Sequence, residues 1–394
     1  MCTVTLESPA ESTWKGYSLA ERDRRWQRVR QLAADAGFDC VFVPLGNGHD
    51  ARYLTEIETA AFVLPTDGRP PVLVTDKGKG NAWISDSVAA NRSWPRPMAQ
   101  ALEEAGMERA RIGVAGLKGG KLSHVRSPDG VLVHGAYEEV VRVLPNATFE
   151  DATDVVGRAR FAKGDEEIEC LRRSAAIAEA GIDELVEIAR PGADQAVVYA
   201  SVMRRMLRLG SEYYPWALYA GPRDGPEPAR MTRPPVGRKL ESGWMITDEV
   251  SAVWGGMVSQ EDQPILLGPI PEEWKPAIAL QREVFEAGLE RMRPGVLFGD
   301  FIDFINGFGD QRGMKTFVTM HGRGFGDDGP LLTSRARGAD LRDLAFEAGA
   351  AFVWKPYGRT ADERISFNWG GDVVVTEQGG ELLSRRPIEL VSIT

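Results

Sequence analysis

The sequence predicts two domains: an α/β domain over residues 1–158, and a domain over 159–394 in which capped helices alternate with strand hairpins. Three observations carry this. The 394 residues exceed the length at which a single core usually stops growing. Short β-rich runs alternate with helical patterns up to about residue 158, as in layered α/β units. Beyond 163 a long capped amphipathic helix opens a different pattern.

The elements follow in order. Ser18 and Glu21 have the spacing of a capping box, and Trp26, Val29, Ala33 and Ala36 then repeat at helical intervals until Gly37 ends the helix. "FDCVFVPL" reads as a buried strand and "GNGHDARYLT" as the loop after it. Further strands are expected at "AFVLP", "PVLVTD" and "RIGVAG", with a helix near "AYEEVVRVL". In the second half Asp165 is the expected N-cap. Ile168, Leu171, Ala175, Ala178, Ile182, Leu185 and Ala189 then form one apolar stripe, stopped by Pro191-Gly192. A second helix is expected over "PAIALQREVFEAGLERMRPG", and strands at "MKTFVTMHG", "AAFVWKP" and "DVVVTEQGGELL". No repeat of fixed period and no low-complexity tract interrupts this order.

Composition narrows the class. A net charge of −10 argues against nucleic-acid or anionic-membrane partners, whose electrostatic footprint is basic. No run of about 18 apolar residues could span a bilayer, and the N-terminus lacks the basic-then-apolar order of a secretory signal. Cys2, Cys40 and Cys170 form neither a disulfide framework nor a C-x-x-C pair. A cytoplasmic, reduced protein is expected.

The stretch "GWMITDEVSAVWGGMVSQEDQPILLG" raises the functional question, because it strings Asp248, Glu249, Gln260, Glu261 and Asp262 through an otherwise apolar hairpin. Taken with "LYAGPRDGPEP", "MHGRGFGDDGP", "EAGAAFVWKP" and "GGDVVVTEQGGELL" in that order, it resembles the creatinase/prolidase/methionine-aminopeptidase (M24) family. That resemblance implies a pita-bread C-terminal domain, an α+β arrangement of a curved antiparallel sheet backed by helices, behind a smaller α/β N-terminal domain. A shared fold does not fix the chemistry.

Metal-dependent members hold two divalent ions with Asp, Asp, His, Glu and Glu. The family register, anchored on Ala252 and Gly256, puts Glu249 at the first position and Gln260 at the second. His321 in "MHGRGFG" keeps the histidine, Lys355 in "FVWKP" replaces the first glutamate, and Gly370 stands at the last. One carboxylate and one imidazole, beside an amide, a cation and no side chain, are a poor donor set for hard divalent ions. The expectation is a site with no metal and no other cofactor. A slipped register using Asp248, Glu261 or Asp262 is the rival, although a one-residue slip would turn every side chain to the other face. The family's further histidine, about ten residues before the Gly-Asp pair, is replaced by Arg233.

Glu249 is therefore read as a general acid/base or as a structural carboxylate paired to an arginine or to Lys355. His321 is read as an acid/base or substrate hydrogen-bonding group, or as a fold residue between glycines. Lys355 would supply positive charge, act as a base if burial lowers its pKa, or simply pair with Glu249. Gln260 would orient substrate, or face water beside Glu261 and Asp262, both expected to be solvent-facing. Arg233, Arg323, Trp254, Tyr219 and Tyr357 are candidate pocket residues. By resemblance to creatinase-like homodimers, the loop carrying Arg52 and Tyr53 would reach the partner's active site. The implied function is metal-independent hydrolysis of a non-peptide C–N bond (amidino, cyclic amidine or amide) in a small carboxylate-bearing substrate. The alternatives are a lyase, a peptide-binding pseudo-peptidase and a metal-dependent Xaa-Pro peptidase.

Overall fold

The computed structural model describes residues 13–127, 129–222, 238–333, 341–362 and 366–394. The chain divides into two compact units. One comprises Gly16–Ala162 with Phe325–Pro330, and the other Met1–Lys15, Lys163–Gly324 and Leu331–Thr394.

In the first unit α1 (Leu19–Asp35) starts where the Ser18 side chain accepts from the Glu21 N–H. The Glu21 carboxylate turns to Arg24 and Arg25, each at 2.7 Å, so it serves an ion-pair cluster. Gly37 ends the helix at φ +78°, a left-handed conformation that a side chain would strain. β1 (Cys40–Val43) is followed by α2 (Gly48–Thr55), where a loop was expected. The reason is local: Asn47 caps the Asp50 N–H, giving the segment a helical start. Then come β2 (Ala60–Pro65), β3 (Val72–Thr75), β4 (Val88–Ala89), α3 (Pro95–Glu104), β5 (Arg111–Val114), α4 (His134–Val143), β6 (Thr148–Asp151) and α5 (Thr153–Phe161). The six strands form one mixed sheet in the order β4-β3-β2-β1-β5-β6. α3 and α4 cover it through Met98, Leu102 and Val140, which pack on Phe42, Val63 and Ile112.

The second unit opens with α6 (Asp165–Ile188). Its N-cap is Gly164 rather than Asp165, because the Glu167 carboxylate accepts the Gly164 N–H at 2.9 Å and moves the start back one residue. α7 (Gln195–Arg208) follows, then β7 (Ala217–Pro222), β8 (Trp244–Trp254), β9 (Met257–Glu261) and β10 (Ile265–Leu266). The α6 stripe meets the sheet here. Ile177, Ala178, Ile182 and Leu185 bury against Ile246, Val250 and Ala252, with Val202, Met206 and Trp216 completing the core.

α8 (Lys275–Arg291) and α9 (Phe298–Gly307) precede β11 (Lys315–Phe317) and β12 (Thr319–Gly324), two strands where the sequence suggested one run. The chain continues through β13 (Gly326–Thr333), β14 (Ala351–Trp354), β15 (Tyr357–Arg359), β16 (Ser366–Asn368), β17 (Gly371–Thr376), β18 (Gly379–Leu382) and β19 (Val391–Ser392). β14 pairs antiparallel with both β12 and β17, which brings His321, Val353 and Asp372 into one row across the sheet.

Candidate functional site

Two sheet rows converge on one buried polar cluster. The β8–β9 hairpin turns at Gly255-Gly256, both at positive φ, and its ladder runs from Trp254↔Met257 to Val250↔Glu261. Continued one step, that register sets Glu249 across from Asp262, with Gln260 two residues along on the same face. Asp248 and Glu261 lie on the opposite face. Glu261 and Asp262 do not face water as expected: they are 1% and 4% exposed.

Lys355 follows β14 directly, its N–H donating to the Thr319 carbonyl at 3.1 Å. Its Nζ donates to Glu249 Oε1 at 2.9 Å and stands 3.7 Å from Asp262 Oδ2. The Trp354↔Gly371 pairing sets Lys355 beside Gly370. Gly370 and Asp262 exchange backbone hydrogen bonds at 2.9 and 3.1 Å. A Cβ on Gly370 would stand 2.8 Å from both Asp262 Oδ2 and Lys355 Cβ. The space of a side chain there is already taken.

Gln260 links this group to a second one. Its Nε2 donates to Asp262 Oδ1 at 2.9 Å, its Oε1 accepts from Arg323, and its backbone N–H donates to Asp372 Oδ2 at 3.1 Å. Arg323 Nε is 3.8 Å from Asp372 Oδ1, and both residues are 1% exposed. His321 precedes Arg323 by two residues on β12. Its Nδ1 is 3.0 Å from the Gly322 carbonyl, which can only accept, so this contact puts a hydrogen on Nδ1 and leaves Nε2 as the nitrogen for a substrate.

Electrostatics sort the roles. Burial works against the charge of Lys355, but Asp262 and Glu249 outweigh it and hold the ammonium above the ordinary lysine range. The expected base role for Lys355 is thereby corrected: it is a fixed positive charge. Burial raises Asp262 to about 6, against the opposing pull of Lys355. Burial also raises Asp372 to about 7, partly offset by Arg323. Across the hairpin, burial lifts Glu261 and Asp248 well above the usual carboxylate range.

The remaining candidates divide. Tyr357 opens β15, and its phenol is raised first by burial, with Lys355, Asp262 and Glu249 all acting on it, which places it at the cluster. Trp254 ends β8 at the hairpin tip, edge-on to Trp14 at 6.4 Å and under the Arg173 guanidinium at 5.1 Å. Tyr219 pairs with Thr247 on β7, two residues along β8 from Glu249. Arg52 and Tyr53 lie on α2 of the other unit. Tyr53 is fully buried with its hydroxyl on the Ala159 carbonyl at 3.2 Å, in a helix where a loop was expected. Arg233 lies outside the described residues.

Sequence reasoning missed Asp372, and it gave Asp262 a place at the site only in the rival register, otherwise setting it against water. The strand period could have found Asp262, since it shares parity with Gln260 and so must share its face. Asp372 had no local signal, because β17 joins the site only through cross-strand pairing. Among the described residues no group of three or more His, Cys, Asp or Glu side chains is placed to hold a metal ion. Nor, among them, is any helix long and apolar enough to cross a membrane.

Comparisons with known proteins bear on this arrangement. The uncharacterized hydrolase/peptidase y4tL of Sinorhizobium fredii is 26% identical over 64% of this chain and 63% of that protein. Creatinase of Bacillus sp. (strain B-0618) is 23% identical over 77% of this chain and 74% of that protein. The chain thus spans less than two thirds of the first relative and about three quarters of the second. The solved Xaa-Pro dipeptidase from Bacillus anthracis superposes with a TM-score of 0.76, at 19% identity, over 94% of this chain and 100% of that one. The fold is accordingly an α/β N-terminal domain followed by an α+β pita-bread domain. The model of metallopeptidase family M24 matches residues 169–377, more than half the sequence and every residue of the cluster just described. With the hairpin, the His321 strand and the Lys355 and Gly370 positions all inside that match, the chain belongs to metallopeptidase family M24.

Proposed function

We propose that this protein is a metal-independent hydrolase of a non-peptide C–N bond in a small carboxylate-bearing substrate. The observation that carries this reading is the Lys355 ammonium, 2.9 Å from Glu249 and 3.7 Å from Asp262. A cation bound between those two carboxylates would occupy the volume the ammonium fills, and two positive charges there would repel. Gly370 brings no donor, and the room for one is occupied. This donor set does not fit a two-metal centre, so no step is routed through a metal.

In the proposed reaction Glu249, the most exposed acid of the cluster at 19%, takes a proton from a water whose oxygen adds to the substrate carbon. Lys355 stabilises the negative charge developing on the atom doubly bonded to that carbon. The C–N bond then breaks as the nitrogen receives, from the protonated Glu249, the proton taken from the water, while His321 hydrogen-bonds the substrate through Nε2. Gln260 and Arg323 hold the cluster in place through Asp262 and Asp372.

Two measurements test the reading. Purified protein is screened against amidino, cyclic amidine and amide substrates with and without a chelator, alongside elemental analysis. Turnover is expected to survive chelation. Glu249→Gln is expected to remove it by at least about a hundredfold without loss of fold. Turnover that requires stoichiometric metal, or that survives Glu249→Gln, would overturn the proposal.

A further inference from the structure

Lys355 and Tyr357 reach the cluster from a short segment between β14 and β15, and the segment is fixed from behind by one side chain. Gln281 on α8 is 2% exposed. Its Nε2 donates to the Pro356 carbonyl at 2.8 Å, and its Oε1 accepts the Gly358 N–H at 2.8 Å. These two groups flank Tyr357 and are the pair a neighbouring strand residue would bind. The amide thus stands in for a strand partner at the point where the chain enters β15. Gly358 permits the approach: a Cβ there would lie 3.3 Å from Gln281 Oε1 and 3.5 Å from the Gln281 backbone nitrogen.

We infer that Gln281 is a positioning residue for the site, setting the direction of Lys355 and Tyr357 through the backbone between them. Only an amide can do this across the whole pH range. An ionised carboxylate has no hydrogen for the Pro356 carbonyl, and an apolar side chain leaves two buried backbone groups unpaired. A protonated carboxyl, with one O–H and one accepting oxygen, can meet both. Gln281→Glu should therefore be rescued at low pH and should fail as the buried carboxyl ionises, which burial shifts above the ordinary range. The inference rests on the proposed role of the Glu249–Lys355 pair, but its test does not need a substrate.

The test is NMR of protein carrying 13C-labelled lysine, with the Lys355 Hε–Cε signal assigned by its loss in Lys355→Met. A lysine held in one orientation by its hydrogen bond to Glu249 shows two inequivalent Hε protons; Asp262, raised to about 6, titrates within the range used, so each spectrum is compared with wild type at the same pH. In Gln281→Glu that inequivalence is expected to match wild type at pH 5.5 and to be lost at pH 8.5, with the melting transition still present at both. If the variant unfolds at pH 8.5, Gly358→Ala is used instead. It keeps the amide but crowds its oxygen at 3.3 Å, so the Gln281 side chain must give by a few tenths of an ångström, and it is expected to shift the same signal by a smaller amount. A Lys355 signal identical to wild type in Gln281→Glu at both pH values, or unmoved in Gly358→Ala, would overturn the inference. If the signal moves as expected while Lys355→Met keeps full turnover, positioning stands and the proposed reaction fails.

Discussion

Lys355 is a cation between two acids, and removing it would take its positive charge away from both. Breaking a buried ion pair costs about 3–5 kcal/mol, with partial exposure of Glu249 pulling the figure to the low end. Lys355→Met is therefore expected to lose about 3 kcal/mol in urea unfolding. The double variant with Glu249→Gln should lose less than the sum of the two singles, and strict additivity would deny the coupling. Asp372 gives a pH signature. Its folded pKa, raised to about 7, exceeds the ordinary carboxylate value, so the native state holds a proton that the unfolded chain releases. That contribution is complete below about pH 4 and fades as pH rises towards 7, with a slope of up to about 1.4 kcal/mol per pH unit. Asp372→Asn should flatten the stability profile between those limits, and an unchanged slope in urea titrations would count against it. At this scale the sequence exposed Glu249, Lys355 and the amide at Gln260, because each sits at a fixed offset within a hairpin or strand. It hid Asp372, whose hydrogen-bond partner Gln260 is 112 positions back along the chain.

The long elements were legible and the short ones were not, for a physical reason. α1, α6 and α8 carry their own apolar stripes and are followed by a glycine or Pro-Gly stop, so local pattern and final packing agree. β10, β15, β16 and β19 are two or three residues long and exist only because other strands pair with them. α2 carried its Asn47 cap in plain view but was too short for a periodic signal. Within α8 the packing reverses a local preference. Alanine is favoured over glycine in a helix by about 1 kcal/mol. A Cβ at Gly288, however, would lie 2.5 Å from the Trp354 ring, which is fully buried and whose Nε1 donates to the Phe285 carbonyl at 3.1 Å. Overpacking against a rigid ring costs about 1–3 kcal/mol or more. Gly288→Ala should thus be destabilising by roughly 1–2 kcal/mol in thermal or urea melts, where propensity alone predicts a gain of about 1.

At the scale of the whole chain, sequence order and compactness part company. A division at 158/159, placed where the alternating pattern gives way to the capped helix, treats each domain as one continuous stretch. The compact units instead divide between Ala162 and Lys163, and the first also takes in Phe325–Pro330. That six-residue return brings Asp327 and Asp328, which no pattern within residues 1–162 anticipates. Arg160, 5% exposed, binds Asp328 and lies 2.9 Å from Asp50, while Asp327 pairs with Arg126 at 2.5 Å and donates its N–H to His124 Nε2 at 3.0 Å. Cutting the chain to residues 16–162 keeps the six-stranded sheet and its helices but leaves the Arg160 guanidinium with Asp50 alone. Loss of one partner from a buried charge cluster costs about 3–5 kcal/mol, a large share of the 5–15 kcal/mol that holds a typical domain together. The fragment should consequently melt well below the full chain. Asp328→Asn in the full chain should reproduce part of that loss in the first unit, read as faster amide exchange in β1 and β5. A fragment as stable as the intact protein would mean that the return segment contributes nothing, and that the unit folds on its continuous stretch alone.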